Sequence, residues 1–170
     1  MILDISIEDN RWHEIDFEGL AGRVIDVTLV HMGVAADLCE LSVLACDDAR
    51  IADLNSEFRG KPVATNVLSW PAEELASDTP GGAPRAPEPD FTGEISLGDV
   101  AISYDTCMRE ANDAGKPVAD HVRHLVVHGI LHLLGYDHIR DQDATLMESI
   151  EVEILGKMGV DNPYTENDSL

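Results

Sequence analysis

The chain has 170 residues, three cysteines and a formal net charge of −22, from 33 acidic and 11 basic residues. This length predicts one domain that needs no disulfide to fold, and the odd number of cysteines favours free thiols in the cytoplasm. The excess of acid argues against broad electrostatic capture of nucleic acid, and no apolar run approaches the length of a membrane span.

The first half of the chain alternates strand and helix patterns. Residues 3–7 and 41–45 alternate apolar and polar positions, as half-buried strands do. Apolar residues recur at helical spacing from Phe17 towards Gly33, and Asp47 is expected to cap a second helix. The expected buried stripe of this second helix is Ile51, Leu54 and Phe58.

Two cations, Arg59 and Lys61, lie near the end of the second predicted helix. A strand-like run from Asn66 to Trp70 follows, and Pro71 ends it. From the residues alone, Arg59 is interpreted as complementing the negative end of the helix or as forming a surface ion pair. This interpretation is structural and gives Arg59 no part in chemistry.

The segment 76–93 contains four prolines and little apolar content, which predicts a mobile surface loop. Arg85 in this loop could belong to a substrate-gripping flap, although a plain insertion is the favoured interpretation. The sheet is expected to resume over 94–103, where Gly98 indicates a bulge or a close approach by another group. Thr106 is expected to cap the helix that follows.

The most informative pattern lies in the segment 117–138. From Leu125 to Leu134 it is apolar except at its histidines and at Gly129, which predicts a buried helix. His128 and His132 are four residues apart, so their rings lie on one face of that helix. Two histidines at this spacing can grip one metal ion.

A third histidine completes the pattern of metal ligands. Gly135 stands where a helix can end in a left-handed conformation, so the chain can bring His138 back to His128 and His132. Three imidazoles without a fourth protein ligand are typical of a catalytic zinc site with one open position. The spacing matches the zincin pattern His-Glu-x-x-His-x-x-Gly-x-x-His, but Gly129 replaces the glutamate that serves those peptidases as general base.

The neighbouring histidines are interpreted as structural. His124 is expected to line the helix core or to make a supporting hydrogen bond, and His121 is expected to be exposed. A last amphipathic helix is predicted over 141–158, with Leu146, Ile150 and Ile154 as its apolar stripe. Met147 is interpreted as a core residue of this helix, and a polar, frayed tail is expected at 161–170.

The order of these elements predicts one α+β domain over residues 1–170. It would have a small mixed β-sheet backed by helices, with a zincin-like metal helix across one face. The sequence shows no internal repeat, heptad array or phosphate-binding glycine loop.

Three segments of the chain together resemble the YbeY endoribonuclease (rRNA maturation factor) family. The histidine segment is highly specific, the other two would be weak alone, and the likeness spans nearly the whole chain. The segments are Asn55-Ser-Glu-Phe-Arg59-Gly60, Leu97-Gly98-Asp99-Val100-Ala101-Ile102-Ser103 and His128-Gly-Ile-Leu-His132-Leu-Leu-Gly135-Tyr136-Asp137-His138.

The resemblance implies a metal-dependent endoribonuclease, specific for single strands, that acts in ribosomal RNA processing and in ribosome quality control in the cytoplasm. It implies one zinc ion per chain, with single-stranded ribosomal RNA and the small ribosomal subunit as partners, and no DNA or membrane partner. By matching position, it implies His128, His132 and His138 as metal ligands. It also implies that Arg59 is the functional arginine of the cleft, which reverses the structural interpretation given above.

The chain departs from the family at one polar position. The family commonly shows Thr-Asp-Val-Leu-Ser-Phe-Pro, where this sequence has Thr65-Asn66-Val67-Leu68-Ser69-Trp70-Pro71. Asn66 therefore lacks the carboxylate found at this position, which puts a role for charge there in doubt. The aromatic exchange at Trp70 is expected to be tolerated.

Two other functions stay open at this point. A ribosome-assembly binding factor with a structural metal and marginal nuclease activity is slightly favoured by the acidic charge. A peptidase is suggested by the zincin spacing and opposed by Gly129. The general base is also open, since Asp137 is expected to orient His138 rather than to accept a proton.

Overall fold

The computed structural model of the protein describes residues 1–164. Its four strands are β1 (Ile2–Ile7), β2 (Cys39–Cys46), β3 (Val67–Pro71) and β4 (Ile95–Ser103). They form one sheet in the order β1-β2-β4-β3, in which β1, β2 and β4 are parallel and β3 is antiparallel to β4. The mixed sheet is therefore confirmed, with β3 at one edge.

Five α-helices accompany this sheet within residues 1–164. They are α1 (Phe17–His31), α2 (Asp48–Arg59), α3 (Tyr104–Ala114), α4 (Val118–Leu133) and α5 (Asp141–Lys157), with 3-10 helices at Asn10–Ile15 and Ala36–Leu38. Strands and helices together confirm the predicted α+β class. No helix in the described part of the chain is long and apolar enough to cross a membrane.

One face of the sheet supports the predicted metal helix. Leu41, Val43 and Ala45 of β2 belong to the same buried cluster as Val126 and Ile130 of α4. Alternate residues of a strand point to opposite faces, so the three β2 residues share the face that α4 covers. As predicted, α4 lies across one face of the sheet.

The opposite face of the sheet packs against α2. A smaller buried cluster lies there, made of Cys46, Ile51, Leu68 and Ala101. The prediction that Phe58 is buried in this stripe is wrong, because 59% of the residue is exposed. The last turn of α2 reaches the edge strand, where Phe58 makes an edge contact with Trp70 at 5.6 Å between ring centroids.

Gly98 lies at a bulge in β4, as predicted. The pairing of β2 with β4 shifts by one residue there, from Glu40 opposite Ser96 to Leu41 opposite Gly98. Gly98 has a φ of +128°, and a Cβ atom at this position would lie 2.1 Å from the carbonyl oxygen of Trp70. Only glycine therefore allows β3 to approach β4 this closely.

The predicted cap of α3 is wrong. The helix begins at Tyr104, and Ser103 occupies the N-cap position. Thr106 and Ser103 both donate hydroxyl hydrogen bonds of 2.6 Å to Oδ1 of Asp48. The Thr106 hydroxyl thus joins α3 to the start of α2 instead of capping its own helix.

The segment 76–93 contains neither helix nor strand, and its mobility stays a prediction. The backbone N–H of Gly81 donates to Oδ1 of Asp143 at 2.8 Å, which places this segment against the start of α5. Arg85 donates to the carbonyl of Glu74 at 2.5 Å.

The predicted frayed tail covers 161–170. Residues 165–170 lie outside the described residues. Tyr164, the last described residue, contacts His124 with 5.4 Å between ring centroids, so the described part of the tail packs against α4.

Candidate metal centre

Gly129 brings α4 close to the sheet. A Cβ atom at this position would lie 3.1 Å from Cγ1 of Val100 and 3.4 Å from Oγ of Ser69. The Ser69 hydroxyl also donates to the Gly129 carbonyl at 3.2 Å. At the position that holds the catalytic glutamate in zincins, this chain thus makes a close helix–sheet contact, in which even a Cβ atom would require Val100 to shift slightly.

Gly135 turns the chain after α4, as its sequence position predicted. It has a φ of +100°, and the N–H of Tyr136 after it donates to the carbonyl of Leu131 at 3.0 Å. A Cβ atom on Gly135 would lie 2.9 Å from atoms of both Leu75 and Pro84. Glycine is therefore required at this turn by its left-handed backbone and by the close packing of the neighbouring segment.

The turn brings the three predicted histidines together. One ring nitrogen from each of His128, His132 and His138 lies within 4.8 Å of the other two. The Nε2 atoms of His128 and His132 are 3.0 Å apart. Zinc–nitrogen bonds of about 2.0–2.1 Å at tetrahedral angles place two ligand nitrogens about 3.3 Å apart, so this pair has the spacing of metal ligands. The cluster can hold a metal ion.

The protonation of His132 also fits metal binding. Burial, together with the nearby His128, lowers the pKa of His132 to about 4. A metal binds the neutral imidazole, and this ring is neutral at physiological pH without a metal being needed to displace its second proton. The site is thus prepared for a cation on its buried side, whereas the side chain of His138 is 56% exposed.

Glu151 of α5 is a polar residue of this site that was not predicted from the sequence. It is completely buried, and its Oε2 atom lies 2.7 Å from Nδ1 of His128. Its Oε1 atom lies 3.3 Å from Nε2 of His124 and contacts the Tyr164 hydroxyl. Burial alone would raise the pKa of Glu151, but the hydrogen bonds from His124 and His128 outweigh it and lower the pKa to about 2.

A signal for Glu151 exists in the sequence. Met147, Glu151 and Leu155 are spaced by four residues and all three are buried. An acidic residue on the apolar stripe of a helix is unusual, because a buried carboxylate needs partners. The stripe assigned to α5 from the sequence passed over this position. Met147 lies in the core, as predicted.

The two earlier histidines of α4 are both engaged. The prediction that His121 is exposed is wrong, since only 11% of its side chain is exposed and Nε2 lies 2.9 Å from Oε1 of Glu110. Asn66 donates to the same carboxylate oxygen at 3.1 Å. His124 makes a supporting hydrogen bond, as expected, but to Glu151 rather than directly to one of the three clustered histidines.

Arg59 lies at the end of α2 and donates from Nη2 to the carbonyl of Ser69 at 3.0 Å. It forms no ion pair with any residue in the described range 1–164. It lines a cavity of about 1250 Å³ whose wall also includes His128, His132 and His138. The fold therefore places the predicted arginine and the three predicted metal ligands around one space.

The other charged residues around this cavity are mostly acidic. Lys61 is a second cation in its wall, and the acids there are Glu73, Glu74, Glu110, Asp113 and Asp137. Asp137 accepts a hydrogen bond of 2.7 Å from the backbone N–H of His138, which holds the turn that carries this ring. With few cations nearby, an anionic ligand needs either Arg59 and Lys61 or a bound metal ion to offset its charge.

The sequence matches one family over most of its length. The model of the family described as "Endoribonuclease YbeY" matches residues 4–159. The chain belongs to the YbeY family. The YbeY protein of Ruegeria pomeroyi, named "Endoribonuclease YbeY", is 65% identical over 165 residues, which cover 97% of this chain and 99% of that one.

Other YbeY relatives give the same result. The protein with this name from Ruegeria sp. is 60% identical and covers 99% of each chain, and that from Paracoccus denitrificans is 52% identical over 98% of this chain and 92% of its own. The solution structure of TM1509 from Thermotoga maritima superposes with a TM-score of 0.55 at 20% identity, covering 99% of this chain and 98% of that one. This last likeness supports the fold alone.

Proposed function

We propose that this protein is a zinc-dependent endoribonuclease that cleaves single-stranded RNA. Its proposed substrate is ribosomal RNA and its proposed partner is the small ribosomal subunit, in RNA processing and ribosome quality control in the cytoplasm. The observation that carries the proposal is the arrangement of three imidazoles and one guanidinium around a single cavity. The relatives named as endoribonucleases, at up to 65% identity, support RNA as the substrate class.

The donor set supports zinc as the metal. Imidazole nitrogens suit zinc, and three protein ligands with an open position are the usual set of a catalytic zinc site. No fourth histidine, cysteine or carboxylate joins the cluster within the described residues. Zinc bound there supplies Lewis acidity beside a phosphodiester, and His128, His132 and His138 are proposed to hold it.

Arg59 is proposed to bind the scissile phosphate. Its guanidinium has five N–H donors, and the hydrogen bond to the Ser69 carbonyl leaves others for phosphate oxygens. A hydrolysed phosphodiester gains negative charge in the transition state, which fixed donors stabilise. The bond to Ser69 positions the guanidinium before substrate arrives, so little ordering is needed on binding.

Two observations oppose peptide hydrolysis at the same site. Position 129 is a glycine that packs against Val100 and Ser69, so the glutamate that serves zincins as general base is absent. Arg59 also occupies the carbonyl of Ser69 on the edge strand β3. A peptide that bound by strand addition would need such backbone groups free.

The test compares metal content and RNA cleavage in the wild type, His128→Ala and Arg59→Ala. We expect His128→Ala to lose both zinc and cleavage of a single-stranded RNA. Arg59→Ala is expected to keep zinc and to lose about 10²–10³-fold in cleavage rate, the cost of removing one donor to a developing anion. His13→Ala and Arg50→Ala serve as controls, because both residues are exposed and neither lines the cavity.

A metal-depleted wild-type sample separates the enzyme from a binding factor. If the depleted protein stays folded and loses cleavage that added zinc restores, the metal is catalytic. Equal cleavage by the wild type and Arg59→Ala at saturating zinc would overturn the assigned role of Arg59. Zinc binding without any cleavage of single-stranded RNA would overturn the enzyme proposal itself.

A further inference from the structure

We propose that Glu151 is a positioning residue that fixes the His128 ring with its proton on Nδ1, so that Nε2 is the atom presented to the metal. The inference deepens the three-histidine site and rests on the metal role proposed above. It concerns a residue on α5, 23 positions along the chain from the ring it would orient. Neither the histidine spacing nor the zincin pattern includes this carboxylate.

The hydrogen bond sets the position of the ring proton. An ionised carboxylate accepts hydrogen bonds and donates none. Oε2 of Glu151 lies 2.7 Å from Nδ1 of His128, which is the short range of charge-assisted bonds. In a neutral ring bonded in this way, Nδ1 carries the only proton and Nε2 carries the free lone pair.

The free nitrogen is the one that faces the other ligands. Nε2 of His128 lies 3.0 Å from Nε2 of His132. Both ring nitrogens of His128 are therefore engaged. Nδ1 contacts the Glu151 carboxylate, and Nε2 faces the other rings of the cluster. This is the arrangement in which a carboxylate orients a metal-binding histidine and raises its basicity.

The second oxygen of Glu151 is also engaged. Oε1 lies 3.3 Å from Nε2 of His124 and contacts the hydroxyl of Tyr164. These partners restrain the carboxylate so that it does not turn towards the cluster and become a ligand. The three rings remain the full ligand set there, which keeps one coordination position for substrate.

The carboxylate at position 151 is evidence for a specific role, because burying a charged group costs free energy. Glu151 is completely buried on a helix face whose neighbours at four-residue spacing, Met147 and Leu155, are apolar. An apolar residue would satisfy packing at this position without desolvating a charge. A carboxylate adds negative charge beside a site that receives a divalent cation, and it excludes the tautomer with its proton on Nε2.

The first test needs no metal and no variant. Nitrogen NMR spectra of the metal-free wild type, recorded at pH 8 to 9, report the tautomer of each histidine. We expect the His128 ring to carry its proton on Nδ1. A His128 ring protonated on Nε2 would overturn the proposal, whatever the activity of the enzyme.

The second test compares Glu151→Gln with Glu153→Gln. Both variants remove one negative charge from α5, but 64% of the Glu153 side chain is exposed and it pairs with His31 outside the cavity. Glutamine at 151 has an N–H₂ group that can face Nδ1, so both tautomers of His128 become possible. We expect zinc affinity, measured by competition with a chromogenic chelator, to fall about 10–100-fold in Glu151→Gln. Glu153→Gln should stay within about twofold of the wild type.

The outcomes separate this proposal from the enzyme proposal. Equal zinc affinity in the two variants, with the His128 tautomer unchanged, would overturn the role of Glu151. If Glu151→Gln does not fold, the spectrum of the metal-free wild type decides alone. A wild type that shows the Nδ1 proton and binds zinc but cleaves no RNA would leave the role of Glu151 in place and remove the nuclease.

Discussion

Nε2 of His128 faces Nε2 of His132 at 3.0 Å. Two neutral rings cannot present lone pairs to each other at this distance without repulsion, so either a proton or a cation must lie between them. In the metal-free protein, one N–H of this pair can donate to the other nitrogen. A metal ion could take the place of this proton once the donor ring carries its proton on Nδ1 instead, and both Nε2 atoms would then be free to bind the ion.

Zinc should therefore stabilise the folded protein. At a free zinc concentration of 100 times the dissociation constant, the free energy of unfolding should rise by about 2.7 kcal/mol, because the unfolded chain lacks the site. His138→Ala should lose most of this gain, whereas its metal-free stability should change by less than about 0.5 kcal/mol because the residue is exposed. Thermal unfolding with zinc and with a chelator measures both effects.

His13→Ala is the matched control for this prediction. His13 is exposed as well and lies outside the cluster, so the variant should gain as much stability from zinc as the wild type. A full zinc effect in His138→Ala would show that the third ring is not a ligand.

The clustering of the three histidines could be predicted from the sequence because its geometry is local. The helical spacing of His128 and His132 and the left-handed Gly135 fix three rings within eleven consecutive residues. Such a pattern depends on backbone periodicity and on one glycine, and both can be read without knowing the rest of the fold. One ring nitrogen from each of the three histidines does lie within 4.8 Å of the other two.

The partners of these rings could not be predicted in the same way. Glu151 approaches His128 only because α5 packs against α4, and no local pattern encodes that packing. The exposure of Phe58 could not be predicted either, because it also depends on how two elements pack. The spacing of Phe58 predicts burial, but the last turn of α2 lies at the edge strand β3, where Phe58 contacts the edge of Trp70 and 59% of the residue stays exposed.

The metal-free protein should lose stability as the pH falls from about 6.5 to about 4, partly through His132. Burial lowers the pKa of His132 to about 4 in the folded state, below the ordinary value of 6.5. The unfolded chain therefore binds more protons in this interval, and its stability relative to the folded state rises as the pH falls. The lowered pKa of His132 therefore adds at most about 3 kcal/mol to the free energy of unfolding, and the whole of this gain is present above pH 6.5.

Urea unfolding at several pH values measures this contribution. His132→Gln should show a flatter dependence of the free energy of unfolding on pH between 4 and 6.5, with the chelator present throughout. His13→Ala should keep the slope of the wild type, since this exposed ring is remote from the cluster. An unchanged slope in His132→Gln would mean that the ring is protonated as easily in the folded chain as in the unfolded one.

Restoring the zincin glutamate at Gly129 should not create a peptidase. A Cβ atom there would already lie 3.1 Å from Val100, so Gly129→Glu must displace Val100 or its surroundings and bury a charge. We expect a loss of about 1–3 kcal/mol in the free energy of unfolding, with no turnover of a peptide panel. Gly22→Glu is the control, because a Cβ atom on this helical glycine meets nothing within 4 Å. Turnover of peptides by Gly129→Glu would show that the missing base alone separates this site from a protease.

Asn66 stabilises the carboxylate of Glu110 through a hydrogen bond. Its Nδ2 donates to Oε1 of Glu110 at 3.1 Å, and its Oδ1 accepts the N–H of Val67 at 2.6 Å. Asn66→Asp keeps the second contact but sets two carboxylates against each other. We expect about 1–2 kcal/mol less stability at pH 7. Repulsion raises the pKa of the pair in the folded state, so the cost should shrink as the pH falls and one carboxyl takes a proton.

A double-mutant cycle isolates the repulsion between positions 66 and 110. In a Glu110→Gln background the second negative charge is absent, so Asn66→Asp should cost less than about 0.5 kcal/mol there at pH 7. Glu94→Gln, which changes one exposed acid elsewhere, should leave the full cost in place. An equal cost of Asn66→Asp in all three backgrounds would place its origin in the Val67 contact instead. The asparagine would then have no bearing on how the cavity accommodates Glu110.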